Sequence, residues 1–364
     1  MESNKVKSIF DFGQSIWLDY LDRKIMDSGE LQKLIEEDGI RGLTSNPAIF
    51  ENAISNSSTY DEDIEVFSKQ KTSNGEIFFG LAVNDIKRAA DFFKPVYDET
   101  KGQDGFVSLE VSPNLARDTG GTIKQAKELW KAVDRKNLMI KIPGTAESLP
   151  AIRHCISKGI NINVTLLFGL SRYRDITNAF ISGLEDRLNF NQPIDQVASV
   201  ASFFLSRIDV MIDPLLEEKG LSKLKGEVAI ASAKKAYEIY QEVVNSERFK
   251  NLEVKGANRQ RVLWASTSSK DPSFSDVKYV EALIGKETIN TIPMETLDAF
   301  RNHGKAGNTL EDDLDKAGRV LEQLEENGIN IDTITQALED EGIEKFNKSF
   351  DKLLKKIEKQ KLHS

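Results

Sequence analysis

The chain has 364 residues, 39% of them hydrophobic and 29% charged, a balance that fits a globular fold. A formal net charge of -9, with no block of basic residues, argues against nucleic acid as the main partner. One cysteine, Cys155, excludes an internal disulfide and a CxxC pair, and His154, His303 and His363 are too scattered for a zinc site.

Residues 15–19, Ser-Ile-Trp-Leu-Asp, read as a first strand ending on a carboxylate. A helix is expected over 23–38, stopped by Gly39. Residues 40–46 form the second strand, and Asn46-Pro47 offers a helix cap and first helical residue. The stretch 47–100 reads as long and helical, with a break at Ser73-Asn74-Gly75. Residues 106–112 are the third strand, followed by a helix over 119–135.

Leu138-Met139-Ile140-Lys141-Ile142-Pro143-Gly144 is a short apolar run bounded by breakers, the pattern of a buried fourth strand. A lysine buried there costs several kcal/mol unless it is paired or neutral. A neutral, desolvated amine is a nucleophile towards carbonyls. A helix over 146–158, a fifth strand at 160–167, a helix over 170–188 and a sixth strand at 196–204 follow. The stretch 207–250 reads as mainly helical, 261–266 as the seventh strand, 277–284 as a short helix and 288–293 as the eighth strand. A helix over 310–327 and a charged tail, expected to be a solvated helix, complete the chain.

Eight strands alternating with helices predict a single (β/α)₈ barrel over 1–364, with 310–364 as a helical C-terminal extension. A doubly wound sheet is the competing arrangement, but no GxGxxG or P-loop follows any strand. No apolar stretch is long enough to span a membrane, and Met1-Glu2-Ser3-Asn4-Lys5 leads into no signal core, so a reducing, cytoplasmic setting is expected.

Strand parity connects the fold to chemistry, because side chains alternate between faces. If Lys141 points into the barrel, so do Glu110 on the third strand and Asn163 and Thr165 on the fifth. Asp19 ends the first strand on the inward side, and Thr44 and Asn46 end the second. Polar residues thus converge on the C-terminal ends of the strands, where barrel enzymes build their sites.

Ile140-Lys141-Ile142-Pro143, Thr44-Ser45-Asn46-Pro47 and Asn163-Val164-Thr165-Leu166-Leu167-Phe168 resemble the transaldolase family, the longer bacterial subfamily most closely. The resemblance runs from about residue 11 to about residue 300. It implies Schiff-base transfer of a dihydroxyacetone unit from sedoheptulose 7-phosphate to glyceraldehyde 3-phosphate, giving erythrose 4-phosphate and fructose 6-phosphate. It also implies sugar phosphates as partners and no metal or organic cofactor. Lys141 matches the imine-forming lysine, Asp19 the base on the C4 hydroxyl, and Glu110 with Thr165 the pair that handles a water. Asn46 and Asn163 match the asparagines that orient the dihydroxyacetone hydroxyls, and Thr44, beside Asn46, is a further substrate-binding candidate.

Ser202-Phe203-Phe204-Leu205-Ser206-Arg207 resembles the family's phosphate motif, putting Ser202 and Arg207 on the phosphate. The competing reading pairs Arg207 with Asp209 or Asp213. After the seventh strand, where the family usually has an arginine, this chain has Ala265-Ser266-Thr267-Ser268-Ser269-Lys270, with Lys270 the nearest cation. Relatives that act as fructose 6-phosphate aldolases carry glutamine at Glu110 and tyrosine at Phe204, which puts this chain on the transferase side. A sugar-phosphate binding module would need Arg207 but not Lys141 beside Glu110 and Asp19. A purely structural role leaves the inward polar residues unexplained.

Overall fold

A computed structural model describes residues 4–70 and 72–361. Eight parallel strands close into a barrel: β1 (Gln14–Leu18), β2 (Gly42–Leu43), β3 (Phe106–Glu110), β4 (Leu138–Pro143), β5 (Ile162–Leu167), β6 (Ser199–Phe204), β7 (Arg261–Ala265) and β8 (Thr288–Ile292). β1 pairs with β8, with Gln14 opposite Thr288 and Leu18 opposite Ile292. That closure excludes the doubly wound sheet, whose edges stay open. The strands are buried throughout except for Arg261, as expected where helices cover the outside and side chains fill the lumen.

Two expected elements in the N-terminal third are subdivided. The helix expected over 23–38 is two, Arg23–Asp27 and Glu30–Glu37, because Gly29 takes a left-handed φ of 77° between them. The stretch 47–100 is three helices, Pro47–Ser55, Asp61–Ser68 and Asn74–Glu99. Ser73 does not interrupt a helix but starts one, through a capping box with Glu76.

The second strand is also much shorter than the expected 40–46. A Cβ on Gly42 would lie 2.5 Å from the Trp17 ring, so only glycine lets β2 pass the indole. Beyond Leu43 the chain still tracks β1, through a Thr44 N–H to Leu18 hydrogen bond of 2.8 Å, and then turns into its cap at Asn46.

The N-terminal end of the barrel is closed by a polar plug. Arg261 pairs with Asp104 at 2.8 Å, and Ser15 Oγ and Trp17 Nε1 both donate to the Asp104 carboxylate. Every charged group in this plug has its partner, so the open chemistry lies at the opposite end.

The charged tail is not the solvated helix expected of it. It is the helix Ile331–Lys361, which buries Thr335, Leu338, Gly342, Phe346, Phe350, Leu353 and Ile357. Those residues recur every three or four positions and form one stripe, while pairs such as Glu344–Lys348 occupy the outer face. The high charge of the tail therefore lies mostly on its outward side, with buried Glu339, 3.4 Å from Arg172, as an exception. The helix packs on Pro47–Ser55, Asp61–Ser68, Asn74–Glu99 and Ser206–Glu218, and so lies over the C-terminal ends of the strands. Phe350 anchors it edge-on against Phe78, with ring centroids 5.5 Å apart.

Phe350→Ala should cost about 3–5 kcal/mol in denaturant unfolding, the range for truncating a buried phenylalanine. Unchanged stability would return the tail to the solvated arm that its charge suggests.

Candidate active site

Three contacts show that polar side chains meet inside the barrel. Asn163 Nδ2 donates to Ser108 Oγ at 3.0 Å, although β5 and β3 are separated by β4. Ser202 Oγ donates to Asn163 Oδ1 at 2.7 Å. Thr44 Oγ1 and Thr291 Oγ1 are 2.8 Å apart, although β1 lies between their strands. Bonds that skip a strand can form only through the lumen. The inward parity of Asn163 and Thr44 follows directly.

Lys141 and Glu110 are register partners on β4 and β3. Lys141 Nζ stands 3.9 Å from Glu110 Oε2 and donates to the Ser45 carbonyl at 3.1 Å. The first distance is too long for a hydrogen bond, so the pair interacts by charge alone. Both side chains are buried. Burial pushes the Glu110 carboxyl up from 4.5 to about 7; attraction from Lys141 opposes this and Asp19 adds to it. Burial also raises Asp19, against the pull of Lys141 and of the Thr44 hydroxyl, which donates to Asp19 Oδ1 at 2.6 Å. With its hydrogen given to Asp19, Thr44 accepts from Thr291.

The tripeptide Thr44-Ser45-Asn46 holds this cluster together. Thr44 fixes Asp19 and the Ser45 carbonyl fixes Lys141, while Ser45 Oγ donates to the Ser108 carbonyl on β3 at 2.8 Å. Asn46 Oδ1 accepts from the Ala48 and Ile49 N–H groups and caps the next helix. Asn46 also lines the pocket above Lys141, so it combines the structural and site positions that its sequence left open.

That pocket has a volume of about 230 Å³. Its wall includes the expected Asp19, Thr44, Asn46, Lys141, Ser202, Phe204, Arg207 and Lys270. Glu110, Asn163 and Thr165 are buried just outside the lining. Both Glu110 oxygens and Thr165 Oγ1 lack a hydrogen-bond partner among the described residues, whereas the Asn163 amide is engaged by Ser108 and Ser202.

The wall also contains residues that the sequence did not single out, among them Thr291, Glu295 and Phe346. Thr291 follows the same inward parity and could have been found by it. Glu295 lies beyond the last strand and Phe346 comes from the C-terminal helix, so neither carries a strand signal.

Arg207 pairs with neither Asp209 nor Asp213. Asp209 accepts from Tyr279 and the Ala229 N–H, and Asp213 from the Gly226 N–H. Among the described residues, no hydrogen bond or ion pair reaches the Arg207 guanidinium. It sits 5.7 Å from the Phe204 ring centroid, and Phe204 lies against Phe168 at 5.4 Å. Lys270 Nζ donates to Ser268 Oγ at 2.7 Å, and both line the same pocket. Two cations without an ion-pair partner among the described residues thus line one pocket, Arg207 in the first turn of the helix Ser206–Glu218, an arrangement of the kind that favours anions.

The raised Glu110 value predicts a pH signature. The folded protein keeps a proton that the unfolded chain releases between about 4.5 and 7. Stability from this group is therefore full below 4.5, falls as pH rises to about 7, and is level above that. Glu110→Gln removes the titration. Its melting temperature relative to wild type should rise from pH 5 to pH 8; a constant difference would contradict the burial argument.

The Transaldolase/Fructose-6-phosphate aldolase family profile matches residues 16–357. A "Transaldolase" of Trichodesmium erythraeum is 48% identical, with 99% of this chain and 98% of that protein aligned. A "Transaldolase 2" of Nostoc punctiforme and a "Transaldolase" of Saccharopolyspora erythraea are each 44% identical, with 98% of both chains covered. Similarity of this extent, spanning barrel and C-terminal helix alike, means that the chain belongs to the transaldolase/fructose-6-phosphate aldolase family.

Proposed function

We propose that the protein acts as a transaldolase, moving a dihydroxyacetone unit between sugar phosphates through an imine on Lys141. The observation that carries this reading is a buried lysine, 3.9 Å from a buried carboxylate, at the floor of a pocket whose rim holds the unpaired Arg207.

Lys141 attacks the C2 carbonyl of a ketose phosphate to form a carbinolamine. Loss of water gives a protonated imine, which draws electrons from the C3–C4 bond. Asp19 takes the C4 hydroxyl proton as that bond breaks and an aldose phosphate leaves. A carboxylate with a raised proton affinity suits this step, and Thr44 holds it in place. The enamine left on Lys141 attacks the acceptor aldehyde, which takes the proton back from Asp19. Water then restores the free lysine.

Glu110 and Thr165 carry that water in both directions in this scheme. A carboxyl titrating at about 7 can give and take a proton near neutrality, and its oxygens and Thr165 Oγ1 have no competing protein partner. Arg207 and Lys270 hold the sugar phosphate, with Lys270 in place of the family's usual arginine. Thr44 and Asn46 face the dihydroxyacetone end, whereas Ser202, expected on the phosphate, gives its hydroxyl hydrogen to Asn163 Oδ1 and so sits between the two ends. Sedoheptulose 7-phosphate as donor and glyceraldehyde 3-phosphate as acceptor are the substrates that the family reading supplies.

Borohydride reduction in the presence of fructose 6-phosphate should leave a stable adduct on Lys141, located by mass spectrometry of peptides. Lys141→Arg should fold and lose activity by at least about a thousandfold, because arginine keeps the charge but forms no imine. An adduct on another lysine, or an active Lys141→Arg protein, would overturn the assignment.

A further inference from the structure

We infer that the C-terminal helix forms part of the phosphate seat, with Gly342 as a positioning residue for the Arg207 guanidinium and Phe346 as the wall beside it. The inference rests on the transaldolase reading for its ligand, a sugar phosphate, but its geometry stands independently.

Gly342 lies in the interior of the 31-residue helix Ile331–Lys361, where glycine disfavours helix and needs a reason. The reason is close approach. A Cβ at this position would lie 3.7 Å from Arg207 Nη1 and 3.0 Å from Leu166 Cδ2. Leu166 directly follows Thr165 and holds a left-handed φ of 52°, a conformation that a branched side chain seldom adopts. The pairing of β5 with β6 shifts register across the same stretch, between Val164 and Leu167. The helix therefore meets two elements of the site at one residue that has no side chain.

Arg207 is thus confined on two sides. Phe204 lies on one side of the guanidinium and the backbone of Gly342 on another. The adjacent Glu341 pairs along the helix with Lys345 and makes no ion pair with Arg207, although its charge acts on the guanidinium across the gap. Phe346, one turn beyond Gly342, lines the same pocket and is 6% exposed. A bare Cβ at position 342 would only touch the guanidinium and crowd Leu166, whereas a longer side chain would press on the guanidinium itself, and neither reaches Lys141, Glu110 or Asp19 directly. Phosphate contacts are made in both ground and transition states, so the effect falls on KM rather than kcat.

The test compares wild type, Gly342→Ala, Gly342→Leu and Arg207→Ala. Alanine and leucine favour helix over glycine, so neither change should melt the helix. Gly342→Leu should raise KM for fructose 6-phosphate about tenfold, in the direction of Arg207→Ala, and Gly342→Ala by less. Borohydride trapping of unphosphorylated dihydroxyacetone on Lys141 should match wild type in both Gly342 variants. Titration with inorganic phosphate reads the seat directly, and Gly342→Leu should bind it about tenfold more weakly than wild type. Unchanged phosphate affinity and KM, or a parallel loss of dihydroxyacetone trapping, would overturn the inference. Absence of any Lys141 adduct in wild type would contradict the transaldolase reading instead, and the phosphate titration would still decide the role of Gly342.

Discussion

A lysine in the lumen of a closed barrel is the constraint on which the rest of the site depends. Its charge has to be offset where the side chain is almost wholly withdrawn from solvent. β4 and β3 pair so that Glu110 faces Lys141 in register, and the chain after β2 brings the Ser45 carbonyl to the same ammonium group. Two unit charges about 4 Å apart attract by about 4 kcal/mol at an effective dielectric of 20. That is not enough to hold Glu110 fully ionised, since burial still lifts it to about 7. Glu110 is therefore poised to give or take a proton near neutral pH.

The remaining contacts follow from keeping this cluster fixed. Ser108, Asn163 and Ser202 form a hydrogen-bonded line across the lumen, tying β3, β5 and β6 together beneath the pocket. On the other side, Thr291 and Thr44 brace Asp19. The charged plug at the N-terminal end is fully paired, so it stabilises without competing for substrate. At the rim the logic reverses: among the described residues Arg207 has no hydrogen-bond or ion-pair partner, which leaves its guanidinium open to the pocket.

The sequence made the strand faces readable because lumen side chains obey a period of two, and a polar residue on an apolar strand stands out. Lys141, Glu110, Asp19, Thr44 and Asn163 were all visible in this way. The same logic reached the barrel, whose eight strands alternate with helices, but gave no account of what covers it. Phe346 was hidden because the C-terminal helix carries many charges on one side, and its buried stripe emerges only when residues 335 to 357 are read at helical spacing. Gly342 was hidden for a different reason: close approach between distant segments leaves no local pattern. Arg207 was ambiguous because Asp209 and Asp213 lie nearby in sequence, and only the structure shows both carboxylates engaged by other donors.

The central claim is that the three-carbon unit on Lys141 passes to an aldehyde rather than to water. Phe204 supplies an apolar ring over this part of the pocket, with no hydroxyl to place a hydrolytic water. The most direct measurement is dihydroxyacetone released from fructose 6-phosphate without acceptor, set against transfer with erythrose 4-phosphate present. Transfer should exceed release by at least about a hundredfold, a difference in barrier of about 2.7 kcal/mol. Release as fast as transfer would contradict the account and make the protein an aldolase.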